Sequence, residues 1–94
     1  MADQGSHTPD ELAENENPST TSRQEAERWV SMYTELTQME DDVIKSVKER
    51  IAHMSLAARR ETERTNLPVL EMDSKRFHAR LAFWRKRVGQ LSGS

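Results

Sequence analysis

The chain has 94 residues with 34% apolar and 32% charged side chains, a net charge of −2, three Gly, three Pro and no Cys, and its mean hydropathy is −0.91. This apolar share lies below the roughly 45–50% of ordinary globular chains, so one small all-α domain is the most it supports, with part of the chain outside it. The absence of Cys excludes disulfides and thiolate metal sites, the scarcity of Gly and Pro argues against a turn-rich β fold, and no apolar run approaches the ~18–20 residues of a membrane span.

Residues 1–21 are polar, with Leu12 their one large apolar side chain beyond Met1. Such a segment cannot bury enough surface to offset the entropy of ordering, so an acidic disordered tail is expected over 1–21. Met1–Ser6 lacks the basic region and apolar core of a secretory signal, and a cytoplasmic location is the expectation. Thr8-Pro9-Asp10-Glu11 carries a helix-start signal of one or two turns, ended by Asn15-Glu16-Asn17-Pro18.

Ser22-Arg23-Gln24-Glu25 reads as a capping box, with Ser22 as cap and Glu25 as its reciprocal partner. From there to about Arg64 no Gly or Pro occurs. Trp29, Tyr33, Leu36, Val43, Val47, Ile51, Met54 and Ala58 fall on one helical stripe. The spacing predicts a long first helix over about 22–65. Thr65-Asn66-Leu67-Pro68 is the expected break, since Asn66 tolerates a left-handed cap and Pro68 cannot donate to the helical ladder. Asp73 is the next cap, and Phe77, Leu81, Trp84, Val88 and Leu91 mark a second, shorter helix over about 73–91 at heptad spacing.

The expected architecture over 22–92 is an antiparallel helical hairpin. Unequal helix lengths leave Trp29, Tyr33, Leu36, Met39 and Val43 beyond the reach of the second helix. These five residues are therefore the expected self-association surface of a homodimeric bundle, because each buried large apolar side chain gains about 1.5–3 kcal/mol. Glu40 sits on the same stripe and is expected either to pair with a base of a second chain or to stay in water while the seam shifts to Met39.

Charge is graded along the chain. Residues 1–27 carry seven acids against Arg23, whereas residues 73–94 carry six bases against Asp73. Arg76, Arg80, Phe83 and Arg87 form a stripe beside the core seam of the second helix, and three guanidinium groups around a ring suit carboxylates or phosphates. An acidic protein, or the chain's own acidic tail, is the expected partner of that stripe. Nucleic acid is the alternative, disfavoured by the net acidity. His7, His53 and His78 show no zinc-site spacing, and there is no nucleophile elbow or phosphate loop, so neither a metal, a cofactor nor a catalytic residue is expected.

Met39 to Arg50 resembles the first-helix pattern of the all-helical chorismate mutases, an acid followed by two apolar residues and then Glu-Arg. The resemblance implies an intertwined dimer with Arg50 as a substrate-binding arginine. The chain departs from that family at Tyr33, where a second arginine is expected, at Glu61, near the place of a lysine, and in lacking a third helix. Small secreted helical hairpins share the expected shape, but their Trp-x-Gly turn is absent: Trp29 precedes Val30-Ser31 and Trp84 precedes Arg85-Lys86. The reading that emerges is a non-enzymatic helical interaction protein.

Overall fold

A computed structural model describes residues 12–92. They form two α-helices, α1 (Arg23–Ile51) and α2 (Leu56–Ser92), packed as a hairpin, with the segment 12–22 laid against it. No strand occurs among the described residues.

The start of α1 is where its cap signal puts it. Ser22 Oγ accepts from Glu25 N at 3.1 Å, but the return half of the box is redirected. Glu25 accepts instead from Thr20 Oγ1 at 2.8 Å, and Ser22 N donates to Thr20 Oγ1 at 3.2 Å. Helix α1 ends at Ile51, with Lys48 and Arg50 in its last turn, where cations oppose the partial negative charge of the unpaired carbonyls. A tight connection follows, in which His53 N donates to Arg50 O and Met54 N to Ile51 O. Ser55 then opens α2 by accepting from Ala58 N at its hydroxyl and from Arg59 N at its carbonyl.

The hairpin matches the expected class, but its turn lies at residues 52–55 rather than near Pro68. Pro68 is inside α2. It has no N–H for the Arg64 carbonyl, a loss that normally breaks a helix unless packing holds the flanking turns. Here the flanking residues Leu67 and Leu70 are part-buried. The result is a 29-residue helix beside a 37-residue one, so α2 covers the whole of α1. The expected overhang of α1 does not exist.

Packing is concentrated at the open end. Ala26, Tyr33, Leu81 and Trp84 are buried together, with Trp29, Val30, Leu36, Phe77, Phe83, Val88 and Leu91 packed against them. Trp29 stacks on Trp84 at 6.2 Å between ring centroids and 17° between planes. Tyr33 lies 5.9 Å from Trp29 and 6.2 Å from Phe77, and Phe83 meets Trp84 edge-on at 5.1 Å. The heptad seam read for α2 thus faces α1 throughout. Toward the turn, Ile51 alone is a buried apolar residue.

Cross-helix polar contacts fix the register along one flank. Asp41 accepts from Ser74 Oγ at 2.8 Å and lies 3.0 Å from His78 Nε2, and Lys48 lies 3.7 Å from Glu71. The molecule extends 56 × 33 × 14 Å with a radius of gyration of 16.5 Å, against roughly 12 Å for a compact chain of this length. It is one helix thick, so each helix buries a single stripe.

Candidate functional site

The most unusual chemistry in the molecule is a buried carboxylate in the segment expected to be disordered. The signal at Thr8-Pro9 lies outside the described residues. Residues 12–22, however, form two consecutive turns. Glu16 N donates to Ala13 O and Thr20 N to Asn17 O. Asn15 takes the left-handed conformation with φ 68°, which Asn accepts more readily than most residues. Asn17 Oδ1 accepts from Ser19 N, a local Asx turn.

The first turn delivers the Glu16 side chain, 0% exposed, to the seam between the helices. Its Oε1 accepts from Tyr33 Oη at 2.6 Å and from Ala13 N at 2.7 Å. Its Oε2 accepts from Arg80 Nε at 3.0 Å, Arg80 Nη2 at 2.9 Å and Trp84 Nε1 at 2.5 Å. A second anchor lies one turn further along α2, where Arg87 donates through Nε and Nη2 to the Thr20 carbonyl at 3.2 and 2.8 Å.

This arrangement satisfies groups that are otherwise costly to bury. The Trp indole N–H, the Tyr hydroxyl and the guanidinium are all donors and need an acceptor when removed from water. One carboxylate supplies it to all three. Burial pushes the Glu16 carboxyl up, but hydrogen bonds from Tyr33, Ala13, Trp84 and Arg80 outweigh that effect and hold it below its ordinary value. Tyr33 is pushed up to about 12 by burial and by its bond to Glu16, since a phenolate beside a carboxylate is repelled.

The predicted anion-binding stripe is divided by the fold. Arg80 and Arg87 converge on segment 12–22. Phe83 packs on Trp84, with the Arg80 guanidinium 4.5 Å above its ring centre, a cation–π contact that helps orient the arginine. Arg76 turns elsewhere. Its guanidinium lies 4.8 Å from the Phe77 ring centre and 3.9 Å from Asp73, and its Nε is buried without a hydrogen-bond partner.

The five residues expected to mediate self-association are also split. Tyr33 is buried, and Trp29 and Leu36 pack against the core. Met39, at 59% exposure, and Val43 remain open, as do Met32, Val69 and Met72. Glu40 is part-buried rather than in water. Burial pushes its carboxyl up, the nearby Asp73 and Asp41 add to this, and Arg76 opposes it. The seam therefore does not shift to Met39.

No group of three or more His, Cys, Asp or Glu is arranged to hold a metal ion among the described residues, and no helix there is long and apolar enough to cross a membrane. Arg50, which the mutase resemblance would make a substrate ligand, lines a shallow cleft near the turn with Val47, Met54, Thr62, Asn66 and Leu70. Arg50 is the one cation among the residues lining that cleft. Comparison with protein-family models, curated proteins and solved structures finds no match. Sequence reasoning identified Arg80 and Arg87 but missed Glu16, Tyr33 and Trp84 as their companions. The usable signal was the placement of two aromatic donors on the seam beside an arginine.

Proposed function

We propose that this chain is a non-enzymatic helical interaction protein that offers the basic flank of α2 to an acidic protein partner. The observation that carries this reading is the capture of Glu16 by Arg80, Trp84 and Tyr33. The flank binds a carboxylate from an irregular segment, and it does so with hydrogen bonds aimed at both oxygens. The excess of bases after residue 73 supplies longer-range attraction for acidic chains.

Calorimetric titration of the full chain with poly-L-glutamate, and with single-stranded DNA in parallel, tests the reading. Poly-L-glutamate should bind at low salt, weaken as salt screens the charges, and weaken about fivefold or more in Arg87→Glu. Absence of poly-L-glutamate binding at low ionic strength contradicts the proposal. Tighter binding of DNA than of polyglutamate transfers the reading to nucleic acid.

Self-association is a second reading, favoured by one observation. Met32, Met39 and Val43 stay exposed along α1 on a hairpin one helix thick. Light scattering at micromolar concentration decides it, with a monomeric mass as the contrary result.

A further inference from the structure

The seat of Glu16 has the properties of a site that can change occupants. Segment 12–22 is tied to the helices by hydrogen bonds from Tyr33, Arg80, Trp84 and Arg87. Its one large apolar side chain, Leu12, is 41% exposed, and its two buried residues are Glu16 and Thr20. It contains turns but no helix or strand. Segments with few apolar contacts open at low free energy while the rest of a fold stays closed. The other side of the site is different in kind. Tyr33 and Trp84 are buried parts of the aromatic core, and Arg80 is stacked over Phe83. These donors are held by the packing of α1 and α2 as well as by Glu16.

Opening would uncover a guanidinium at 8% side-chain exposure, an indole N–H and a phenol hydroxyl with no anion among them. Such a preorganised set of donors has a strong demand for an anion. We infer that the Tyr33–Arg80–Trp84 cradle is an exchangeable carboxylate site, which takes a glutamate from an acidic peptide segment of another chain when its resident occupant, segment 12–22, lifts away. This deepens the reading above and rests on it: the partner presents a glutamate to the cradle, and the chain's own Glu16 competes for that place. A competitor in the same molecule lowers the apparent affinity by the fraction of time the cradle is open.

The test uses the full chain and a synthetic peptide of its own residues 12–22, with tryptophan fluorescence and calorimetry as readouts. Two variants loosen the resident segment. Glu16→Gln removes its charge. Asn15→Val keeps Glu16 and every cradle residue but places a β-branched side chain at a positive φ, which strains the first turn. If Glu16→Gln fails to fold, as judged by circular dichroism, Asn15→Val carries the comparison.

The expected result is that the peptide binds Glu16→Gln about tenfold or more tightly than the unaltered chain, with Asn15→Val in between. A peptide with Gln in place of its own glutamate corresponding to Glu16 should bind each protein about tenfold more weakly. Equal affinity for the folded proteins overturns the inference while leaving acidic binding elsewhere on α2 intact. Failure of both this peptide and polyglutamate to bind any of them overturns the inference together with the function it rests on.

Discussion

Between residues 23–37 and 76–92 the two helices meet through Trp29, Tyr33, Phe77, Leu81 and Trp84, and segment 12–22 closes one side. Between residues 43 and 72 the same helices meet through Ile51 and part-buried Val47, Met54 and Leu70, with no third element among the described residues over them. The secondary structure of the two halves is the same. What differs is the size of the side chains along the seam and the presence of a carboxylate that lets polar aromatic groups be buried. Continuous helix is therefore a poor guide to where this chain is stable, and the terminal half should behave as the cooperative unit.

The largest effect should come from Trp84→Ala, which removes the ring that Trp29 and Phe83 pack on and one of the donors to Glu16. Loss of a buried Trp costs about 3–5 kcal/mol. A hydrophobic core of this size supplies little more than that, so circular dichroism should show the helices largely lost at 25 °C. At the other end, Ile51→Ala should cost about 2 kcal/mol, the low end for a buried aliphatic residue, because the sparse surroundings can collapse. Urea unfolding of the two variants side by side breaks the comparison if Ile51→Ala proves the more damaging. Pro68→Ala restores an N–H to an exposed helical position and should raise stability by about 1–2 kcal/mol, less than the full ~3 kcal/mol propensity difference because the helix already accommodates the ring. A decrease would show that the proline is needed for the path of α2.

The titratable groups sharpen the same contrast. Glu16 and Asp41 are both held below their ordinary values. Burial opposes the shift of Glu16, and hydrogen bonds from Tyr33, Ala13, Trp84 and Arg80 overcome it. For Asp41 the hydrogen bonds from Ser74 and His78 dominate. A depressed carboxyl contributes stability that is present above its unfolded value and is lost as pH falls through the folded one. Acidification below about pH 4.5 should therefore release segment 12–22, seen as a change in tryptophan emission. Tyr33 sets the alkaline limit: its contribution is present below about pH 10 and is lost as pH rises toward about 12. Glu40 is shifted upward and acts in the opposite sense to Glu16, favouring the fold at low pH and opposing it at neutral pH. Glu40→Gln should give the smallest effect, a gain of about 0.5 kcal/mol at pH 7, or a melting temperature higher by about 2–4 °C. An unchanged melting temperature would show that Arg76 already neutralises the site.

Much of the fold was legible in the sequence. Ser22 marked the first helix, the steps from Phe77 to Leu91 marked the inner face of the second, and two amphipathic helices implied a hairpin. The turn was misplaced because Asn66-Leu67-Pro68 carries the strongest local breaking signal, whereas residues 52–55 contain neither Gly nor Pro. Only Ser55, a cap without an acidic partner three residues on, pointed there. Tertiary packing overrode the local preference, since a turn at 52–55 gives α1 a partner along its whole length, and a turn at Pro68 would have stranded Trp29 and Tyr33.

The site was half legible. The charge gradient left attraction between the acidic segment and the basic helix as one of two alternatives; Glu16 does pair with Arg80, whereas Arg87 bonds the Thr20 carbonyl. The segment's polar composition hid the fact that one glutamate could be buried, because that depends on three donors from two helices meeting at one point. No pattern local to residues 12–22 encodes such a meeting.

The central claim is that the Glu16 carboxylate is bound to the Trp84 indole in the folded chain. The direct measurement is the indole Nε1–H resonance of Trp84 in the ¹⁵N-labelled full chain, assigned with Trp29→Phe and compared with Glu16→Gln. The account predicts a downfield proton, protected from solvent exchange, that moves upfield and exchanges faster in Glu16→Gln while the helical signal is retained. An indole resonance with the same shift and exchange rate in both proteins would contradict it.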